Sequence, residues 1–275
     1  MTLDVEIVTT RSGARAVRDR LTGEVMHSAV GPTIESLTLY VTASRLRERL
    51  METSETSSPL VLLDVGLGAG SNAALSLRVS EELPSTARRL EILSFDRSLA
   101  AMELALADQG REEFGFAGIA HDAGRAIVQH GLAETPRTTW RLFLGDLPGT
   151  LSHVAPASAD IVYWDPFSPK VNPSLWSFAS FTGLRRVCRQ GATVHTYSQA
   201  TRVRSALLLA GFHVGMGTAT GQKESTTIAG VGAPPGAKLL DRRWLERLGR
   251  SSAPFPADAP ADAMERIAAL PQLAQ

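Results

Sequence analysis

Residues 60–72 read LVLLDVGLGAGSN, an apolar run that ends in Asp64 and then sets glycines at positions 66, 68 and 70. Leu60, Val61, Leu62 and Leu63, unbroken by a polar residue, are what a strand buried on both faces of a parallel sheet requires. Gly66, Gly68 and Gly70 permit a tight turn and a close approach of backbone to ligand. A helix beginning near Ser71 or Asn72 turns its free N–H groups toward the same place. Strand, glycine loop and helix in this order predict the nucleotide-binding edge of a doubly wound α/β sheet.

Length and composition agree with that reading. A chain of 275 residues with 44% apolar content has room for one α/β domain and a small addition. Lys and Arg number 28 and Asp and Glu also 28, so no global positive field advertises a polyanion partner. The single cysteine, Cys188, excludes an intrachain disulfide and a multi-cysteine metal site, and it points to a reducing, cytoplasmic setting. The opening MTLDVEIVTT lacks the basic-then-apolar order of a secretory signal. No apolar run nears the roughly 20 residues of a membrane span. His121, His130, His153, His195 and His213 share no ligand spacing, so no metal is expected.

Three units are expected along the chain. Residues 1–58 read as a β-rich cap, with alternating strands punctuated by Ser12-Gly13 and Thr22-Gly23 and a helix with a drifting apolar face over 34–50. Residues 59–250 form the core. A second buried strand, Leu90 to Phe95, ends in Asp96, a third ends before Gly145-Asp146, and a fourth, Ile161 to Trp164, delivers Asp165. A fifth strand runs from Gly191 to Tyr197, and 212–216 and 226–230 pair as an antiparallel hairpin around Gly221 to Glu224. The Ala- and Pro-rich stretch 251–275 reads as weakly ordered apart from a possible helix at 261–270.

The residues at these strand ends narrow the nucleotide. The loop lacks the lysine of a phosphate-cradling P-loop, and Asp64 would repel a pyrophosphate while suiting a cation. S-adenosyl-L-methionine carries an amine and a sulfonium and no phosphate. Gly66, Gly68, Gly70 and Asn72 would form its cradle, Asp96 with Arg97 would meet the ribose, and Gly145-Asp146 the adenine. The closing antiparallel hairpin separates class I methyltransferases from dehydrogenases. The expectation is therefore a class I methyltransferase, with a Rossmann-like doubly wound sheet, a C-terminal antiparallel hairpin and a small N-terminal β-rich cap.

Longer stretches resemble a particular family. GEVMHSAVGPTIES (23–36), DVGLGAGSNA (64–73), DIVYWDPFSPKVNPSLWS (160–177), GATVHTYSQATRVRSALLLAGFHV (191–214) and GQKE (221–224) are similar to the methyltransferase half of the MnmC family. These bacterial enzymes complete 5-methylaminomethyl-2-thiouridine at the tRNA wobble position. Asp160, Asp165, Phe167, Pro169, Asn172, Pro173 and Trp176 fall in register with the family's pattern, while Pro166 stands where the family has glycine. The resemblance implies that Asp165 is the catalytic residue and that tRNA is the substrate. A carboxylate there can bind a protonated amine, orient it and take up its proton. Phe167 and Trp176 would wall the base, His27 and Glu35 would line the acceptor pocket from the cap, and Lys223 would meet phosphate.

Full-length members carry an FAD-dependent oxidase domain, which this sequence is expected to lack. Arg185, Arg186, Arg189, Arg202 and Arg204 offer either a tRNA-facing stripe or a solvated helix face. Two other readings stand beside tRNA methylation: transfer to a small-molecule amine, and a non-catalytic protein that binds S-adenosyl-L-methionine.

Overall fold

A computed structural model describes residues 4–26, 30–52, 58–219 and 225–274. Its centre is the strand that opened the sequence reading, Leu60–Val65, with every residue buried. Side chains alternate across it: Leu60 and Leu62 enter one hydrophobic cluster, Val61, Leu63 and Val65 the other. That alternation is the strand's period of two, and a sheet covered on both sides is why all six positions are apolar or sequestered.

Among the described residues the chain begins with an antiparallel meander of β1 (Val5–Thr9), β2 (Arg15–Asp19) and β3 (Val25–Met26). Then come α1 (Pro32–Ser36), a π-helical turn over Leu37–Thr42, and α2 (Leu46–Met51). The central strand is β4, and it leads into α3 (Ser71–Glu81), β5 (Leu90–Asp96), α4 (Ala100–Ala107) and α5 (Ile119–His130). After β6 (Leu132–Glu134) and β7 (Thr138–Leu144), the chain crosses by α6 (Leu147–Thr150) to β8 (Ala159–Trp164). There follow α7 (Phe178–Val187), β9 (Cys188–Thr196) and α8 (Thr201–Leu209), then β10 (His213–Met216), β11 (Thr227–Gly230) and β12 (Lys238–Leu239). Helices α9 (Arg242–Leu248) and α10 (Ala263–Ala268) close the fold.

The large sheet runs β12-β10-β11-β9-β8-β4-β5-β7-β6. β4 is parallel to both β5 and β8, while β11 is antiparallel to β9 and β10. The expected class I methyltransferase sheet and its closing hairpin are therefore present. Chain order reverses at β4, so a crevice opens beyond the carboxyl ends of β4 and β8, where doubly wound sheets bind ligands.

Packing ties both ends of the chain to the sheet. In the helical half of residues 1–58, Leu39, Tyr40, Val41, Leu46 and Leu50 share a cluster with Leu60 and Leu62, forming a layer on the sheet. The Ala/Pro-rich end is ordered, because Ile267 and Leu273 are buried against the opposite face. Gln272 also completes the sheet edge, its side chain accepting from the Val214 N–H at 3.1 Å and donating to the Val214 carbonyl at 3.0 Å. Low-complexity composition conceals such contacts, since a few apolar residues at the correct spacing suffice. Cys188 opens β9, and its burial pushes the thiol up to about 12. Among the described residues no helix is long and apolar enough to cross a membrane.

Sheet and helices are tied by one buried carboxylate. Asp160, 4% exposed on β8, accepts from the Val61 N–H at 2.9 Å and lies 3.3 Å from Arg189 and 3.9 Å from both Arg49 and Arg88. Removing it leaves three partly buried guanidinium groups without their shared carboxylate and the Val61 N–H without an acceptor, so Asp160→Ala should cost about 3 kcal/mol in urea denaturation. Arg47→Ala, which breaks only the exposed pair with Glu82, should cost no more than about 0.5 kcal/mol in the same assay.

Candidate active site

Strand register assembles the site. Val65 pairs with Phe95 on one side and Trp164 on the other, and Asp96 pairs with Leu144. Gly66, Asp96 and Asp165 therefore emerge in one row, and Arg97 and Gly145 follow one residue on. Backbone bonds continue the ladder past the strands, from Gly66 N–H to Phe95 carbonyl at 3.0 Å, Asp165 N–H to Val65 carbonyl at 2.8 Å and Gly145 N–H to Asp96 carbonyl at 2.8 Å. Residues far apart in sequence thus meet because parallel strands end level.

Asp165 is half-buried and held at both oxygens. Tyr40 donates its hydroxyl to Oδ1 at 2.5 Å, and Asn72 donates its amide to Oδ2 at 2.9 Å. Burial pushes the Asp165 carboxyl up to about 8, aided by the charges of Glu35 and Asp64 and opposed by the Tyr40 and Asn72 hydrogen bonds. The loop after Asp165 is pinned from three sides. Tyr197 donates to the Pro166 carbonyl at 3.0 Å, Trp176 donates its indole N–H to the Phe167 carbonyl at 2.8 Å, and Ser168 N–H reaches Glu24 at 3.2 Å.

Asp64 lies beneath the glycine loop with 0% exposure. Register sets Ser94 and Tyr163 beside it on the same sheet face. Ser94 donates to Asp64 Oδ2 at 2.8 Å and itself receives the Trp140 indole N–H at 2.9 Å. Asp64 Oδ1 has no hydrogen-bond partner among the described residues, and burial raises the carboxyl to about 7. A buried carboxylate with an unused oxygen is stabilised by a cation above it.

The glycine loop has one packed and one open side. A Cβ at Gly66 would come within 2.7 Å of the Asp165 carbonyl and Pro166 nitrogen, and at Gly70 within 2.8 Å of the Phe116 ring. At Gly68 the nearest neighbour would be the Met26 sulfur at 3.6 Å, which brings the N-terminal meander over the loop. Gly68 N–H donates to Asp96 Oδ2 at 2.9 Å, while Asp96 Oδ1 accepts from Arg97 and Ser98 N–H groups. Burial still raises the Asp96 carboxyl against these bonds. Arg97 and Asp146 are exposed and paired with each other at 2.8 Å. At the start of α3, Ser71 Oγ and Asn72 Oδ1 are buried without a partner among the described residues. Carboxylates, an amide oxygen and a hydroxyl beside a glycine turn that itself carries no lysine or arginine fit the amine and ribose hydroxyls of S-adenosyl-L-methionine.

The structure therefore brings Asp64, Gly66, Gly68, Gly70, Asn72, Asp96, Arg97, Gly145, Asp146 and Asp165 to one edge. Glu35, on α1, is close enough to act on Asp165 by its charge. Phe167 is half-buried in the pinned loop. Trp176 is not a pocket wall: at 2% exposure it packs against Phe181 and Tyr197, and its indole N–H is spent on the loop. His27 and Lys223 lie outside the described residues. Three of the five arginines are engaged within the fold: Arg186 donates to the Leu151 and Val154 carbonyls, Arg189 to Ser158, and Arg204 to Thr227 and Thr226. Sequence reading missed Tyr40, Tyr197 and Glu24, none of which carries a local signature. Only the tertiary fold brings Tyr40 to Asp165, and Tyr197 and Glu24 to the loop after it. No group of metal ligands occurs among the described residues.

Known proteins share this architecture. A family model described as S-adenosyl-L-methionine-dependent methyltransferase matches residues 122–231. The tRNA 5-methylaminomethyl-2-thiouridine biosynthesis bifunctional protein MnmC of Ralstonia nicotianae is 31% identical over 204 residues, covering 70% of this chain and 29% of that protein. Its counterpart in Cupriavidus metallidurans is 29% identical over 247 residues, covering 82% of this chain and 34% of that protein. The chain thus spans about a third of the length of these curated relatives. The crystal structure of MNMC2 from Aquifex aeolicus superposes with a TM-score of 0.76 at 27% identity, covering 96% of this chain and 82% of that one. The chain is an S-adenosyl-L-methionine-dependent methyltransferase similar in sequence and fold to the MnmC proteins.

Gly13 and Gly66 share a φ of +86°, yet a Cβ meets nothing within 4 Å at Gly13. Alanine therefore costs similar backbone strain at both positions, and only Gly66→Ala pushes on Asp165. Calorimetry should show Gly13→Ala binding S-adenosyl-L-methionine like the wild type and Gly66→Ala binding it at least about tenfold more weakly.

Proposed function

We propose that this MnmC-like methyltransferase methylates a primary amine, the aminomethyl group of a tRNA wobble uridine, with Asp165 binding the ammonium and taking up its proton. The observation that carries the reading is the charge around Asp165. Glu24, Glu35 and Asp165 act together on the Tyr197 hydroxyl, and Glu35 and Asp64 both raise Asp165. Such a pocket repels an anionic acceptor and attracts an ammonium. When bound, S-adenosyl-L-methionine supplies an electrophilic methyl group on its sulfonium. Asp64 and Asn72 would hold the methionine amine side, Asp96 the ribose and the Gly145-Asp146 turn the adenine.

An ammonium does not attack; the free amine does. A base raised to about 8 is matched to an amine proton near neutral pH, so Asp165 can accept it without a large uphill transfer. Tyr40 and Asn72 fix both carboxylate oxygens, which orients the remaining lone pairs. Support for tRNA comes from the names of the MnmC relatives, which cover most of this chain. The internal commitment of Arg186, Arg189 and Arg204 favours a second reading, a small-molecule amine as acceptor. Acceptor affinity that falls steeply between low and moderate salt selects tRNA; a flat salt response selects the small amine.

Asp165→Ala should bind S-adenosyl-L-methionine within about twofold of wild type by calorimetry and lose methyl transfer by about a thousandfold. Because the carboxylate must be ionised to act, kcat/KM of the wild type should rise with pH through about 8. Retained turnover in Asp165→Ala removes it from the mechanism.

A further inference from the structure

We propose that Tyr40 is the positioning residue of the acceptor site, delivered by the π-helical turn and holding Asp165 in its ionised, oriented form. The inference rests on the amine-methylation reading above. Tyr40 is 1% exposed, and its ring lies 5.3 Å from that of Tyr163 at an interplanar angle of 52°. Among the described residues its hydroxyl donates to Asp165 Oδ1 at 2.5 Å. A buried hydroxyl so placed has no packing reason to be there, since phenylalanine fills the same space.

The backbone bends to make this contact. Leu37–Thr42 form a π-helical turn, and Arg45 follows with a φ of 55°, left-handed for a residue with a side chain. Wide turns of this kind are costly and recur at functional positions. The turn is stitched to the sheet, with Ser44 Oγ donating to the Val41 carbonyl at 3.1 Å and 3.0 Å from the Tyr163 hydroxyl. The segment is thus rigid on the side that carries Tyr40.

Tyr40 holds its proton throughout the working range, because burial and the charge of Asp165 push its pKa well above the usual tyrosine value. It is therefore a permanent donor. The groups that act on Asp165 besides Tyr40 are Glu35 on α1, Asp64 on β4 and Asn72 on α3. The Tyr197 hydroxyl after β9 feels Asp165 together with Glu24 from the turn before β3. Glu35 and Asp64 disfavour the charge on Asp165, whereas Tyr40 and Asn72 favour it. Between these opposed sets, the Tyr40 bond sets the pH at which the base becomes available.

Tyr40→Phe keeps the ring and should bind S-adenosyl-L-methionine like the wild type. The rising limb of kcat/KM against pH should move up by about one unit, a tenfold change in the ionisation constant. Incorporating 3-fluorotyrosine at position 40, a stronger donor of nearly the same shape, should move it down and does not test the fold. The Asp165 carboxyl is followed independently by carbon-13 NMR of aspartate-labelled protein, assigned by the signal lost in Asp165→Asn. This titration needs no acceptor. If the wild type fails to methylate aminomethyl tRNA or any amine, the function reading falls while the titration still decides the role of Tyr40. Shifts in opposite directions for the two replacements support the proposal; an unmoved titration in both overturns it.

Discussion

The site depends on how closely the glycine turn after β4 lies against the strand end of β8. A Cβ at Gly66 would sit 2.7 Å from the backbone of Asp165 and Pro166, so the two loops pack backbone to backbone. Only a residue without a side chain permits this approach, and its φ of +86° adds a second reason for glycine. Through that contact the segment that cradles the cofactor and the carboxylate that faces the acceptor become one object. Asn72 repeats the link with side chains, since it starts the helix after the glycine loop and donates to Asp165.

Negative charge is concentrated at this junction at some expense in stability. Asp64, Asp96 and Asp165 are all raised by burial, and Asp64 keeps an oxygen without a partner among the described residues. A fold selected for stability alone would place apolar residues there. Carboxylates that are poorly solvated in the free protein are those that gain most from a sulfonium, an amine and an ammonium brought alongside. The same burial tunes the base, so cofactor choice and proton chemistry follow from one electrostatic arrangement.

Much of this was legible in sequence, and the reasons for the remainder are physical. The apolar run, the glycine spacing and Asp96 are local signals, because strand burial and turn conformation are set by neighbours. Asp165 was legible through a long motif. Tyr40 was not: it sits inside a helical pattern whose apolar spacing drifts, and the drift is the trace of the π-helical turn. Tyr197 and Glu24 meet the loop after β8 from across the fold, which no spacing encodes. The arginines left two readings open because side-chain charge says nothing about whether a carbonyl or buried Asp160 has already claimed the guanidinium, as with Arg189. Trp176 misled, since an aromatic near a site is as readily a strut as a wall.

The most direct measurement uses labelled S-adenosyl-L-methionine and bulk tRNA that carries aminomethyl-uridine, followed by digestion and nucleoside analysis. If Asp165 serves a tRNA amine, label enters a single wobble nucleoside, 5-methylaminomethyl-2-thiouridine or its unthiolated form. Label confined to added small amines, or absent from every amine while the cofactor binds tightly, would contradict that assignment.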